Sequence, residues 1–142
     1  MKKLKLFSIG YAVLWLLSGL LNIFVLNDFN NADFEKLTNG HLLILGAGFM
    51  ALMYGTDTVL NISKKKSFNL WLVLYNVFLV GSVLLMLAQK VIENEGFIIE
   101  AMNLSIDIVH LGLGVCLLWA VYLVREVSRQ HSLIKTEKIK NK

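Results

Sequence analysis

The stretch HLLILGAGFMALMYGTDTVLNI, residues His41–Ile62, carries one formally charged side chain, Asp57, in an otherwise apolar or small-residue run. It is longer than the ~20 residues a helix needs to cross ~30 Å of hydrocarbon. Three further runs of this kind flank it: Leu4–Leu26, Phe68–Val91 and roughly Ile98–Val124. Four such runs use most of the 142 residues and leave no room for a soluble domain. The expected fold is therefore all-α: an integral membrane four-helix bundle over residues 1–124, followed by a charged tail over 125–142. The hydrophobic fraction of 56% and mean hydropathy of +0.64 agree, since soluble domains hold ~45–50% apolar residues.

Charge sets the expected orientation. Lys2, Lys3 and Lys5 precede the first run, and Lys64, Lys65 and Lys66 separate the second from the third. Arg125, Arg129, Lys135, Lys138, Lys140 and Lys142 follow the fourth. The other two connections are acidic, with Asp28, Asp33 and Glu35 in one and Glu93, Glu95 and Glu100 in the other, against only Lys36 and Lys90. Basic residues beside spans mark the cytoplasmic side, so both termini are predicted to be cytoplasmic in a bacterial-type plasma membrane. The net charge of +4 is spent on span ends rather than on one folded face, which argues against nucleic acid as a partner. The lipid bilayer is the expected surrounding, and the first run is read as a retained helix. It is longer than a signal-peptide core, and Asn27-Asp28-Phe29 is no small-residue cleavage site.

Within the runs, polar residues fall at helical spacing. Tyr11, Trp15, Ser18 and Asn22 form a stripe expected to face the bundle, and Thr38 or Asn39 is a plausible N-cap of the second helix. Ala47, Ala51 and Gly55 make a small-residue ridge that permits close helix contact. Asn69 and Asn76 share a face of the third run, which also carries Ser82. The short Lys64–Ser67 link makes runs two and three antiparallel neighbours. The fourth run has two readings: one span from Ile98, or a short interfacial helix followed by a span from about Ser105. The second spares Glu100 and Asn103 from membrane depth and is preferred. With no proline in the chain, every helix is expected to be continuous, which weakens a transporter reading built on broken helices. Cys116, the sole cysteine, reads as a small core residue.

His41 and His110 are the residues to explain. Both lie near the outer ends of helices running in the same direction, about 5–8 Å apart in depth. An imidazole there needs a partner. Gly46 and Gly48 follow His41, and Gly112 and Gly114 follow His110, leaving room for a flat ligand. Asp107, one turn before His110, is placed to accept its second ring proton, an arrangement common around metal-bound histidine. Two histidines on separate helices suit axial ligation of haem b. The cofactor-binding set expected from the residues is thus His41, His110, Asp107, Gly46 and Gly114, with His41 and His110 as the metal ligands. The competing reading makes His41 a cap in the headgroup region and His110 a structural hydrogen-bonding residue. His131 belongs to the solvated tail.

Asp57 is read mainly as a carboxylate that reaches headgroups or pairs with Lys64 or Lys65, and otherwise as a stop on a proton path with Tyr54 and Tyr75. Phe68, Trp71, Trp119 and Tyr122 are assigned to the interfacial aromatic belt. No nucleophile triad, phosphate loop, zinc spacing or pair of catalytic carboxylates is present, so no catalytic residue is assigned and an ordinary hydrolase or transferase is unsupported.

Asn39-Gly-His-Leu-Leu-Ile-Leu-Gly46, with Gly55 beyond it, resembles the histidine-x4-glycine helix opening of small membrane proteins related to haem-copper oxidase subunit I. Leu104-Ser-Ile-Asp-Ile-Val-His-Leu-Gly-Leu-Gly114 and Leu74-Tyr-Asn-Val77 resemble segments of an uncharacterised bacterial family of four-span proteins. The resemblance implies a four-helix unit with His41 and His110 as haem ligands. Such relatives often carry two histidines at the second-span entrance, where this chain has Asn39, Gly40 and His41, and the copper-binding histidines of an oxidase have no counterpart. Oxygen reduction is not implied. The expected role is electron transfer, haem handling or redox sensing, with a membrane redox partner or a second copy of the chain as partner. The alternative is an accessory module without cofactor, packing through Ala47, Ala51 and Gly55.

Overall fold

The computed structural model describes the backbone of residues 2–25, 40–91 and 96–140, with side chains except at 19, 21–25, 90, 91, 96–99 and 134–140. The expectations for Asn22, Leu26, the Asn27–Asn39 connection, its Thr38 or Asn39 cap and the Glu93–Glu95 turn lie outside the described residues.

The described chain is all helical. Helix α1 is Lys2–Val25, α2 is His41–Leu60, α3 is Lys66–Val91 and α4 is Gly96–Lys140. Among the described residues three helices are long and apolar enough to cross a membrane: His41–Leu60, Lys66–Gln89 and Glu100–Leu133. Their outward faces are apolar, with Ile44 67%, Leu111 72% and Leu118 73% exposed. Contiguous exposure of this kind is foreign to a water-facing monomer.

Side-chain pairings give an up-down-up-down order. On α1 and α2, Ser8 meets Ala47 and Tyr11 meets Gly46. On α2 and α3, Leu45 meets Tyr75 and Phe49 meets Trp71. On α3 and α4, Trp71 meets Cys116, Phe78 meets Gly112 and Gln89 meets Asn103. In each pair the numbers rise on one helix as they fall on the other, so neighbours in sequence are antiparallel, and α2 and α4 run parallel. Helix α1 lies along α2, and α3 along α4; contacts of α2 with α3 and α4 join the two pairs.

The core is an aromatic column. Phe68, Trp71 and Tyr75 stack at successive turns of α3, with ring centroids 5.5 and 5.6 Å apart, and Phe49 of α2 adds a ring 5.1 Å from Tyr75. This corrects the aromatic-belt assignment for two of its members. Trp71 and Phe68 are buried, while Tyr122 faces outward. The reason is register: 68, 71 and 75 follow one helical face, and that face looks into the bundle, where the Trp71 indole N–H finds the Cys116 carbonyl at 2.8 Å. Cys116 is itself a core residue.

The α2–α3 link turns on Asn61, in the left-handed conformation at φ 55°, where an asparagine is tolerated. Its N–H reaches the Asp57 carbonyl at 2.9 Å, and a 3-10 turn over Ile62–Lys64 follows. The buried Asp57 carboxylate accepts the Ser63 N–H at 2.7 Å. Asp57 is thus tied to the backbone of the link. Lys65 pairs instead with Glu126 of α4, at 2.6 Å.

One expectation about the helices needs correction, and one needs refinement. The preferred break in the fourth run is absent: α4 is one helix from Gly96 to Lys140, through both the proposed start at Ser105 and the charged tail. Glu100 and Asn103 lie on exposed positions of that helix, where Asn103 Oδ1 accepts a hydrogen bond from Gln89 at 2.7 Å. Helix α2, in contrast, is not uniformly α-helical. Its first eight residues, His41–Gly48, are π-helical, and Phe49–Leu60 continues as α-helix. Proline is not the only cause of departure from α geometry; a widened turn does it without one.

Candidate histidine site

The two histidines meet. His41 opens the π-helical segment of α2, His110 stands on the parallel helix α4, and their Nε2 atoms are 3.1 Å apart. The ring centroids are 5.2 Å apart and the planes cross at 87°. The centroid separation exceeds the nitrogen separation by about two ring radii, so the two nitrogens face each other nearly head-on.

The ring protons can be assigned from the partners. His110 Nδ1 lies 2.8 Å from the Ile106 carbonyl oxygen. A carbonyl only accepts, so Nδ1 carries the proton. In the neutral ring Nε2 then presents its lone pair, and the His41 Nε2–H donates to it. Asp107 does not take part in this: it is exposed, and the place expected for its carboxylate is held by the backbone of the preceding residue. One turn before His110 on the helix, the carbonyl at i−4 is closer to the ring than a carboxylate at i−3 that projects outward.

The glycines divide. A Cβ on Gly46 would lie 2.7 Å from Tyr11 Cγ, and one on Gly112 would collide with the Phe78 ring. These two are places of close packing rather than space kept for a flat ligand. Gly114 has nothing within 4 Å of where its Cβ would be, and so remains open. Among the described residues no group of three or more His, Cys, Asp or Glu side chains could share a metal ion; the donor set is the imidazole pair alone.

Several polar groups of the interior find partners on their own or a neighbouring helix. The Tyr75 hydroxyl donates to the Leu45 carbonyl at 2.6 Å, and the Ser8 hydroxyl to the Ala47 carbonyl at 3.0 Å. Tyr11 donates to Asn76 Oδ1, and Asn76 Nδ2 donates to the Leu72 carbonyl at 2.6 Å. Tyr75 therefore engages α2 twelve residues before Asp57, about 18 Å along the axis at 1.5 Å per residue, so the proton path imagined through Asp57, Tyr54 and Tyr75 is not assembled. Sequence reading passed over Ser8 and Phe78 altogether. The signal for Phe78 was available in the antiparallel register of α3 and α4, but that for the widened turn was not.

The family described as "Protein of unknown function (DUF2871)" matches residues 1–127. The chain belongs to it. The match covers all four helices through the core and both histidines of this DUF2871 member, and the comparisons show no similarity to haem-copper oxidase subunit I. No curated protein and no solved structure matches the chain.

Proposed function

We propose that this chain is an integral membrane protein whose four helices cross the bilayer, with both termini cytoplasmic, and whose His41 and His110 are the axial ligands of one haem b. The observation that carries the ligand reading is the head-on, crossed pair of Nε2 atoms, with His110 held in the ligating tautomer by the Ile106 carbonyl. To hold the group between them, the two rings would have to part from their 3.1 Å contact and His41 would have to move its proton off Nε2. The donor set fits a two-ligand centre. Gly114, one turn beyond His110, has nothing within 4 Å of where its Cβ would stand, whereas the Tyr11 and Phe78 rings fill the space at Gly46 and Gly112. Bound there, haem supplies one-electron chemistry for electron transfer, haem handling or redox sensing, with a membrane redox partner. The chain's own part is to supply two imidazoles from parallel helices and to enclose them in apolar surface.

The orientation rests on charge. Lys2, Lys3, Lys5, Lys64–Lys66, Arg125 and Arg129 belong to one end of the bundle, and basic residues favour the cytoplasmic side.

A second reading is favoured by the same 3.1 Å separation. It is already a good hydrogen bond, so the pair also serves as a structural tie between α2 and α4 in an accessory module without cofactor. In that reading the ridge matters: Ala51 and Gly55 are exposed rather than packed within the chain, leaving them to a partner or a second copy. Purification with haem supplied during expression, followed by reduced-minus-oxidised spectra, separates the two. A sharp reduced α-band is the result expected of the haem site; a flat spectrum at full haem supply leaves the accessory module.

A further inference from the structure

We infer that Tyr75 and Ser8 are positioning residues for the histidine pair: by occupying the Leu45 and Ala47 carbonyls they hold His41–Gly48 in π-helical form, and that form turns His41 toward His110. The inference rests on the ligand reading for its function but on the backbone for its geometry.

At the junction with the α-helical part of α2, the Phe49 N–H points to the carbonyls of Ile44 and Gly46. The carbonyl it would serve in an α-helix is that of Leu45, four residues back, and this one is bypassed. A buried carbonyl without a donor is costly. Here the donor comes from outside the helix, as the Tyr75 hydroxyl of α3 at 2.6 Å. Two residues on, the Ala47 carbonyl receives the Ser8 hydroxyl from α1. The widened segment is thus gripped from two neighbouring helices.

The grip has a consequence for His41. A π-helix bonds i to i+5 and holds more residues per turn than an α-helix. Rewinding eight residues as α-helix, with Phe49 and its successors fixed, would swing His41 around the axis by on the order of 100°, about one residue's turn. From there its ring could not face His110. Glycine content fits this account, since a Cβ on Gly48 would stand 3.3 Å from the Leu43 carbonyl oxygen inside the turn itself.

The test uses full-length protein in detergent, with histidine selectively labelled with ¹⁵N. The variants are Tyr75→Phe, Ser8→Ala, the pair together, Gly48→Ala as a perturbation from within the turn, and Tyr11→Phe as a control whose hydroxyl serves Asn76 instead. In apo protein the ring-nitrogen shifts of the shared Nε2 contact are expected in the wild type and in Tyr11→Phe, and are expected to be lost in the double variant and in Gly48→Ala at unchanged helicity. In haem-loaded protein the same two variants are expected to weaken the low-spin α-band at least about tenfold, in step with lost ligation. If the double variant fails to fold, Tyr75→Phe and Gly48→Ala decide by the same shifts. Folded variants with wild-type ring shifts overturn the inference. Wild-type protein that takes up no haem, yet shows shifts that depend on Tyr75, would sink the ligand reading and leave the positioning role standing.

Discussion

His41 and His110 present their Nε2 atoms to each other at 3.1 Å across two parallel helices, with ring planes crossed at 87°. Residues 69 positions apart are joined here by a contact that neither helix could form alone. One member is oriented by its own helix, through Ile106, and the other by a turn whose carbonyls are held by α1 and α3.

This arrangement assigns different weights to the polar residues nearby. His41→Ala and His110→Ala are each expected to abolish the reduced α-band of haem-loaded protein. Asp107→Asn is expected to leave the band in place, because Asp107 is exposed and the Ile106 carbonyl holds His110 Nδ1. Loss of the band in Asp107→Asn would restore the carboxylate to the site.

The glycines should respond in opposite ways. Gly46→Ala forces a methyl to within 2.7 Å of the Tyr11 ring, an overpacking expected to cost about 1–3 kcal/mol. Gly114→Ala meets no atom and, inside a helix, should be stabilising by about 0.4–1 kcal/mol. Thermal unfolding in the same detergent compares them, and equal losses would contradict the packing described.

Asp57→Ala removes the acceptor of the Ser63 N–H at a buried position. A loss of about 1–3 kcal/mol is expected, the cost of a donor left unsatisfied. Lys65→Ala should cost no more than about 1 kcal/mol, since both Lys65 and Glu126 are 27% exposed and a solvent-screened pair contributes little. Chemical denaturation monitored by tryptophan fluorescence would rank the two, and the reverse order would refute the assignment of the link to Asp57.

The exposed ridge gives the accessory reading its own test. Gly55→Leu introduces bulk where nothing lies within 4 Å in the single chain, so the fold and any haem spectrum should persist. A change in oligomeric state by light scattering, with wild-type stability per chain, is the outcome expected if Ala51 and Gly55 meet a second copy. An unchanged state would remove the ridge as a self-association surface.

Much of this molecule follows from the order of its residues. Apolar runs long enough to cross a membrane read as helices, the form in which one segment satisfies all its own backbone hydrogen bonds, and short links such as Lys64–Ser67 make neighbours antiparallel. Parallel running of α2 and α4 then puts His41 and His110 at the same end, which is why the pair was legible. What sequence could not decide were the quantities set by packing. Which face of α3 turned inward made Phe68 and Trp71 core rather than interface. The Tyr11 and Phe78 rings, carried by other helices, determined that Gly46 and Gly112 are filled and Gly114 is open. The π-helical turn at His41–Gly48 depends on hydroxyls delivered by α1 and α3. A helix read alone holds only its own donors and acceptors, so a turn stabilised by its neighbours becomes visible only once those neighbours are in place.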